Sequence, residues 1–292
     1  MHPARLIPVL VALLLPAVPA KQPTQAGPRE PVIRGINHVA FRVSDVAAAR
    51  GFYEGVLGLS QAESPPGKRL QYSVGHRQSV VLEPGLRPDE DERLSHIAYD
   101  TPDVKALSAH LAARGIEVRQ PPERCREDAV WVLDPEGHPV EFVESAWPPA
   151  VPAPSGGRAI STRLLHAGVV VRHEERAHAF YRETLGFSET WRGGRTAGIT
   201  QWVNMRVPGG TDYLEYMLVT EPPDRRQRGV LHHLCLLVPD VQASFEEAAR
   251  RSAKLGRPLT ATPNIGVNGR WQLNLYDPDG TRTELMEPFT VR

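Results

Sequence analysis

Short stretches of alternating apolar and polar residues recur along the chain, each followed by a stretch with helical spacing. His38 to Val43 alternates and is rich in β-forming residues, which predicts a strand. Ser44-Asp45 can cap a helix running through Ala47-Ala48-Ala49 to Val56, and Gly58 stops it. Tyr72 to Val74 and Ser79 to Leu82 then read as strands joined by a turn containing Gly75. The same order returns farther on. Asp103 caps a helix through Ala106 to Ala113 that ends at Gly115, and Trp131–Leu133 and Val140–Val143 form a hairpin across Asp134-Pro135-Glu136-Gly137. The unit is a strand, a helix and about three further strands, an α+β pattern used four times.

The repetition is explicit in the residues. His38, Phe52-Tyr53 and Leu57-Gly58 match His166, Phe180-Tyr181 and Leu185-Gly186 without a gap. His96 and Pro102-Asp103-Val104 match His233 and Pro239-Asp240-Val241. Asp134-Pro135-Glu136-Gly137 matches Asp277-Pro278-Asp279-Gly280, and each Gly is followed four residues later by a Glu, Glu141 or Glu284. A weaker repeat lies inside each half, since His38, His96 and His233 are all followed seven residues later by Asp-Val. The chain is therefore a duplication of a duplication.

The segments outside the repeats read differently. Residues 1–20 carry His2 and Arg5, an apolar run from Leu6 to Leu15, and small residues at Ala17 and Ala20, the pattern of a cleavable secretory signal. Residues 21–31 follow as a flexible N-terminal segment. The first domain is expected over 32–146, a Pro- and Gly-rich linker over 147–159, and the second domain over 160–290. No other stretch approaches a membrane span, so the mature protein is expected to be soluble and exported, in the periplasm or outside the cell. Lys+Arg and Asp+Glu are both 34 in 292 residues, with no long run of one sign, so a nucleic-acid partner is not expected. Cys125 and Cys235 are too few for a disulfide framework, and Cys235, in an apolar run, reads as a core residue.

The His-opening strand, the Phe-Tyr…Leu-Gly helix end and the Asp-Pro-x-Gly-x-x-x-Glu hairpin together resemble the vicinal-oxygen-chelate superfamily. It includes glyoxalases, bleomycin- and fosfomycin-resistance proteins, epimerases and extradiol dioxygenases. The resemblance spans essentially the whole mature chain. It implies four βαβββ modules, paired so that two curved half-barrel sheets each enclose a metal cavity. It also implies the ligand positions: His38, Glu83, His96 and Glu141 in the first half, and His166, Glu215, His233 and Glu284 in the second. An acid flanked by apolar residues on a strand, as Glu83 and Glu215 are, is costly to bury unless paired or bound to a cation. Mixed imidazole and carboxylate donors suit Zn, Ni, Fe, Co or Mn. Of the other histidines, His232 should face away from His233, His76 and His138 fall in turns, His110 and His178 on solvated helix faces, and His173 at a helix start.

Three functions are compatible with this pattern, all on a small-molecule substrate and in a monomer, built as a pseudo-dimer, or a homodimer. The main expectation is a metal-dependent, glyoxalase-like lyase or isomerase, in which Glu284 or Glu141 moves a proton next to a carbonyl. Export argues against glutathione, a chiefly cytosolic thiol, as its co-substrate. The first alternative is an Fe(II) extradiol-type dioxygenase using two His and one Glu. That subgroup's acid/base His is not matched here, since Asn268 and Cys125 hold the corresponding positions. The second alternative is a non-catalytic binder whose wall is Trp191, Trp202, Tyr213, Tyr216 and Trp271.

Overall fold

The computed structural model describes residues 32–62, 69–75, 77–122, 129–144 and 158–291. The expected signal, the segment 21–31, most of the linker, His76 and Cys125 lie outside them. The fold is α+β, as expected, with two mixed sheets that each hold one half of the repeat.

In the first half, β1 (Gly35–Val43) leads into α1 (Val46–Arg50), then β2 (Ser60–Gln61), β3 (Leu70–Val74) and β4 (Gln78–Pro84). The second module repeats the order with β5 (Leu94–Asp100), α2 (Val104–Ala113), β6 (Val130–Leu133) and β7 (Pro139–Val143). These seven strands pair in the order β2-β3-β4-β1-β5-β7-β6. The two His-bearing strands, β1 and β5, are therefore antiparallel neighbours at the centre. The second half runs β8 (Leu164–Val171), α3 (Glu174–His178), β9 (Ser188–Gly193), β10 (Trp202–Arg206) and β11 (Tyr213–Leu218). After α4 (Arg225–Leu231) come β12 (His233–Leu237), α5 (Val241–Lys254), β13 (Asn264–Ile265), β14 (Arg270–Tyr276) and β15 (Arg282–Thr290). Its eight strands pair as β13-β14-β15-β12-β8-β11-β10-β9.

Strand alternation separates the two faces. On β1 the side chains of Val39, Phe41 and Val43 enter an apolar core that is continuous across both halves, while His38, Ala40 and Arg42 lie on the other face. On β12, Leu234 and Leu236 enter the same core, so His233 and Cys235 share the opposite face. Cys235 is a buried free thiol, in keeping with the sequence reading. The Asp caps behave as expected, with Asp45 accepting from Ala47 N–H and Ala48 N–H, and Asp103 from Ala106 N–H.

The structure departs from expectation at three places. The first helix widens into a π-helical turn over Gly51–Val56, and Ala179–Thr184 does the same in the second half. That widening carries Phe52-Tyr53 and Phe180-Tyr181 into the core. The short α4 was not legible as a periodic stretch, and is fixed by an Asp224/Gln227 capping box. His110 is buried rather than solvated, because its Nε2 bonds to the Thr184 carbonyl of the other half at 2.8 Å.

Candidate metal centres

The eight expected ligands are all buried, and seven of them gather into two clusters. His166, Glu215, His233 and Glu284 bring one donor atom each to within 4.8 Å of one another, and so do His38, His96 and Glu141. Both clusters are built within one half, which answers a question that the sequence leaves open. His38 comes from β1, His96 from the adjacent β5 and Glu141 from β7, which pairs with β5 so that Glu141 lies level with Ala98. In the second half Glu284 lies level with Cys235, the matching position, so the second and fourth modules are equivalent residue by residue.

Glu83 stands outside the first cluster, and strand register explains why. On β11, Glu215 lies level with Gly168, two residues beyond His166. On β4, Glu83 lies level with Arg42, four residues beyond His38, and Val81 takes the place that corresponds to Glu215. Two residues of strand are about 6.6 Å, too far for a shared ion. Glu83 instead accepts a hydrogen bond from Ser95 Oγ at 2.7 Å, and Ser95 Oγ lies 3.2 Å from His96 Nδ1. The carboxylate thus acts on His96 from behind, through a hydroxyl, in the manner of an outer partner that orients a metal-binding imidazole. Nothing in the sequence pattern marked Ser95.

The donors fit a cation. His38 Nδ1–H donates to Asn37 Oδ1 at 2.8 Å. Since the Ser95 hydroxyl proton is given to Glu83, His96 Nδ1–H donates to Ser95 Oγ. Both Nε2 atoms then present lone pairs, and they face each other at 2.9 Å. Two lone pairs at that distance repel, and a cation between them would turn the repulsion into coordination. Glu141 Oε2 stands 3.2 and 3.3 Å from the same two nitrogens. In the second half His166 Nε2 and His233 Nε2 are 3.0 Å apart, and His233 Nδ1–H is held by the Leu231 carbonyl at 2.8 Å. Glu284 Oε2 lies 3.4 and 3.5 Å from the two, and Glu215 Oε2 lies 3.7 and 3.4 Å. Ligands bonded to one ion at about 2.1 Å stand roughly 2.9–3.5 Å apart, which matches these spacings except the 3.7 Å between Glu215 and His166.

Electrostatics agrees. Burial raises the carboxyl of Glu141, but His38 and His96 outweigh it and hold the group well below the usual carboxylate range. Glu284 behaves alike, with burial opposed by His166 and His233. Burial lowers His96 and His166, favouring the neutral imidazole that a metal requires.

The surroundings of the two centres differ. Glu215 and Glu284 line a cavity of about 200 Å³ whose wall includes Trp191, Trp202, Asn268 and Arg282. His166 stacks on Tyr213, with ring centroids 4.5 Å apart. In the first half Trp131 lies against His96 at 4.7 Å. Of the aromatics considered for a binding wall, Trp191 and Trp202 face the cavity, while Tyr216 belongs to the core and Trp271 packs against it. Asn268 borders the cavity too, but its Oδ1 is engaged by Arg270 N–H at 3.0 Å. His232 sits apart, bonded through Nδ1 to Glu92 at 2.7 Å.

Comparison with known proteins agrees with this architecture. The family model described as Glyoxalase/Bleomycin resistance protein/Dioxygenase superfamily matches residues 35–142 and 163–285. Metapyrocatechase 2 of Cupriavidus necator is 27% identical over 259 residues, covering 81% of this chain and 76% of that protein. An uncharacterised Bacillus subtilis protein, YwbC, is 25% identical over 129 residues, 44% of this chain and 99% of its own. Among solved structures, homoprotocatechuate 2,3-dioxygenase from Arthrobacter globiformis superposes with a TM-score of 0.69 at 22% identity, over 90% of this chain and 82% of that one. The 2,3-dioxygenase LapB from Pseudomonas sp. KL28 gives 0.68 at 18%, over 88% and 93%. At such identities the superpositions speak for the fold alone. Two sheets of the same modular build and matches to the family model in both halves lead to one conclusion: the chain belongs to the Glyoxalase/Bleomycin resistance protein/Dioxygenase superfamily, the vicinal-oxygen-chelate proteins.

Proposed function

We propose that this chain is a divalent-metal enzyme acting on a small molecule with two adjacent oxygens, and that its reaction is an extradiol-type, Fe(II)-dependent cleavage of a vicinal diol. The working centre is that of His166, His233 and Glu284, beside the cavity of the second half. The metal reading is supported by the buried His and Glu donors gathered in each half, whose opposed Nε2 atoms, 2.9 and 3.0 Å apart, a cation would bridge. The reaction class is supported by the metapyrocatechase relative, which matches over 81% of this chain. An ion held there supplies Lewis acidity and, as iron(II), a redox centre for dioxygen.

Glu215 decides how far this reading extends. An ion held by His166, His233 and Glu284 alone would keep room for two diol oxygens and dioxygen. With Glu215 as a fourth donor it would have room for the diol oxygens alone. A lyase or isomerase is therefore the second reading, favoured by Glu215 and by Asn268, whose amide has no titratable proton to exchange. In that reaction Glu284 or Glu215 takes the proton beside the carbonyl.

The test is to purify the protein without a His tag, measure bound metal by mass spectrometry, and follow oxygen uptake with a series of catechols. Iron near one or two per chain, lost in His166→Ala and His233→Ala, with catechol-dependent oxygen uptake, supports ring cleavage. Activity restored by Ni, Zn or Co without oxygen uptake moves the assignment to the lyase or isomerase. No metal after reconstitution sinks both and leaves a binding protein.

A further inference from the structure

The two centres are built alike but enclosed differently. In the second half Glu215, Asn274, Arg282 and Glu284 all line the cavity. Strand register identifies the residue of the first half that takes the place of each. Glu141 is level with Trp131 across β6 and β7, as Glu284 is with Asn274 across β14 and β15, so Trp131 holds the place of Asn274. Val81 holds that of Glu215, and Pro139, two residues before the ligand Glu, that of Arg282. An indole, an isopropyl group and a pyrrolidine ring thus stand where the second half has a carboxamide, a carboxylate and a guanidinium. Trp131 is 5% exposed, and its ring meets that of His96 with centroids 4.7 Å apart. It packs with Ala129 and Val143 in a small apolar cluster separate from the main core. Its indole N–H has no acceptor among the described residues, so what it brings to this place is bulk.

Donor count alone gives the opposite order, because structural ions usually have four protein ligands and catalytic ones three. At the first centre, however, the side without a fourth donor carries Val81, which offers a polar substrate nothing. Resting on the metal reading above, we infer that the first centre holds its ion as a fixed part of the fold, with Trp131 as the seal that keeps the ion from exchanging. An apolar shell governs how readily solvent and competing ligands reach an ion. The three donors come from β1, β5 and β7, adjacent strands at the middle of the first sheet, so an ion there fastens them to one another. The free energy of binding such an ion is folding free energy for the half that carries it. Trp131 acts through its cover of His96 and is not itself a ligand.

The experiment saturates the untagged protein with zinc and follows its release to an excess of a chromophoric chelator. Two equivalents per chain should leave in two phases, at least about 10-fold apart in rate. His166→Ala should remove the fast phase. His38→Ala should remove the slow one and, with zinc present, lower the melting temperature more than His166→Ala does. Trp131→Asn, which installs the residue of the second half, should keep both equivalents and speed the slow phase by about 10- to 100-fold. If that variant does not fold, the wild-type phases and their assignment by the two histidine variants decide the matter. A single phase for both equivalents, a slow phase lost in His166→Ala, or unchanged release from a folded Trp131→Asn overturns this inference while both metal centres stand. One equivalent lost in His166→Ala and kept in His38→Ala overturns it while the proposed function stands. No zinc at either centre overturns that function as well.

Discussion

Gly168 is the residue whose replacement should separate the metal centre from the fold. It lies level with His233 in the β8–β12 ladder, and its backbone is not in the left-handed region. Adding a methyl group therefore costs nothing in backbone strain and everything in contact. A Cβ at Gly168 would stand 1.9 Å from Cε1 of His233, 2.1 Å from Nδ1 and 2.9 Å from Nε2. Carbon atoms settle about 3.5–4.0 Å apart, so the ring must retreat by roughly 1.6 Å. A metal–nitrogen bond tolerates about 0.2 Å. The imidazole is the far end of a side chain with two torsions and can turn away, so the fold should lose no more than the ~1–3 kcal/mol typical of overpacking. The first half supplies an internal control: Ala40 stands level with His96, and there the ring lies against Trp131. Gly168→Ala should reduce affinity at the second centre by at least about 10- to 100-fold, the range for losing a ligand's orienting partner. Competition against a chromophoric chelator reads this directly, with the melting temperature measured alongside. A folded variant that keeps both sites at wild-type affinity would refute the steric argument.

Glu83→Gln should weaken the first centre about 10-fold without changing how many metal ions each chain holds, because Glu83 acts on His96 through Ser95; a lost equivalent of metal would instead make it a ligand. Asp277 should make the metal-free fold pH-dependent. Burial pushes its carboxyl up to about 6, from an ordinary 3.8, so the native state holds the proton more tightly than the unfolded chain. Its contribution is full below about pH 4 and is lost as pH rises through about 6, and Asp277→Asn should flatten the difference in melting temperature across that window. Tyr181→Phe should cost about 1 kcal/mol by chemical denaturation, since its hydroxyl donates to Asp134 at 3.0 Å across the halves. If residues 1–20 act as a secretory signal, as we propose, mass spectrometry of the mature protein should find a chain beginning near Lys21, and an intact Met1 terminus would refute it.

The modules were legible because their signals are local. An apolar alternation, an Asp cap and an Asp-Pro-x-Gly turn lie within a few residues of each other, and so do His38, His96, His166 and His233 with the strands they open. Glu141 and Glu284 were legible because the turn before them fixes the count. Glu83 was not, since an acid in Val-Val-Leu-Glu looks equivalent to one in Tyr-Leu-Glu until strand pairing sets the level of each. Parallel register between β1 and β4 depends on the packing of α1 and on the loops between, which no short pattern records. The burial of His110 was hidden for a similar reason, as its partner Thr184 lies 74 residues away.

The hydroxyl of Tyr53 reaches Asp277, and that of Tyr181 reaches Asp134. Each carboxylate opens the turn that precedes a candidate ligand Glu, so the hairpin carrying a metal donor in one half is clasped by a helix of the other. Asp279 likewise receives Ser44, and Glu136 receives the backbone of Arg172 and His173. These exchanges are reciprocal, like those of an isologous dimer whose two subunits have been joined end to end. A half cut from this chain would expose the apolar face and leave its own turn unclasped. Separated halves should therefore find one another in solution, and neither should hold its metal until it has.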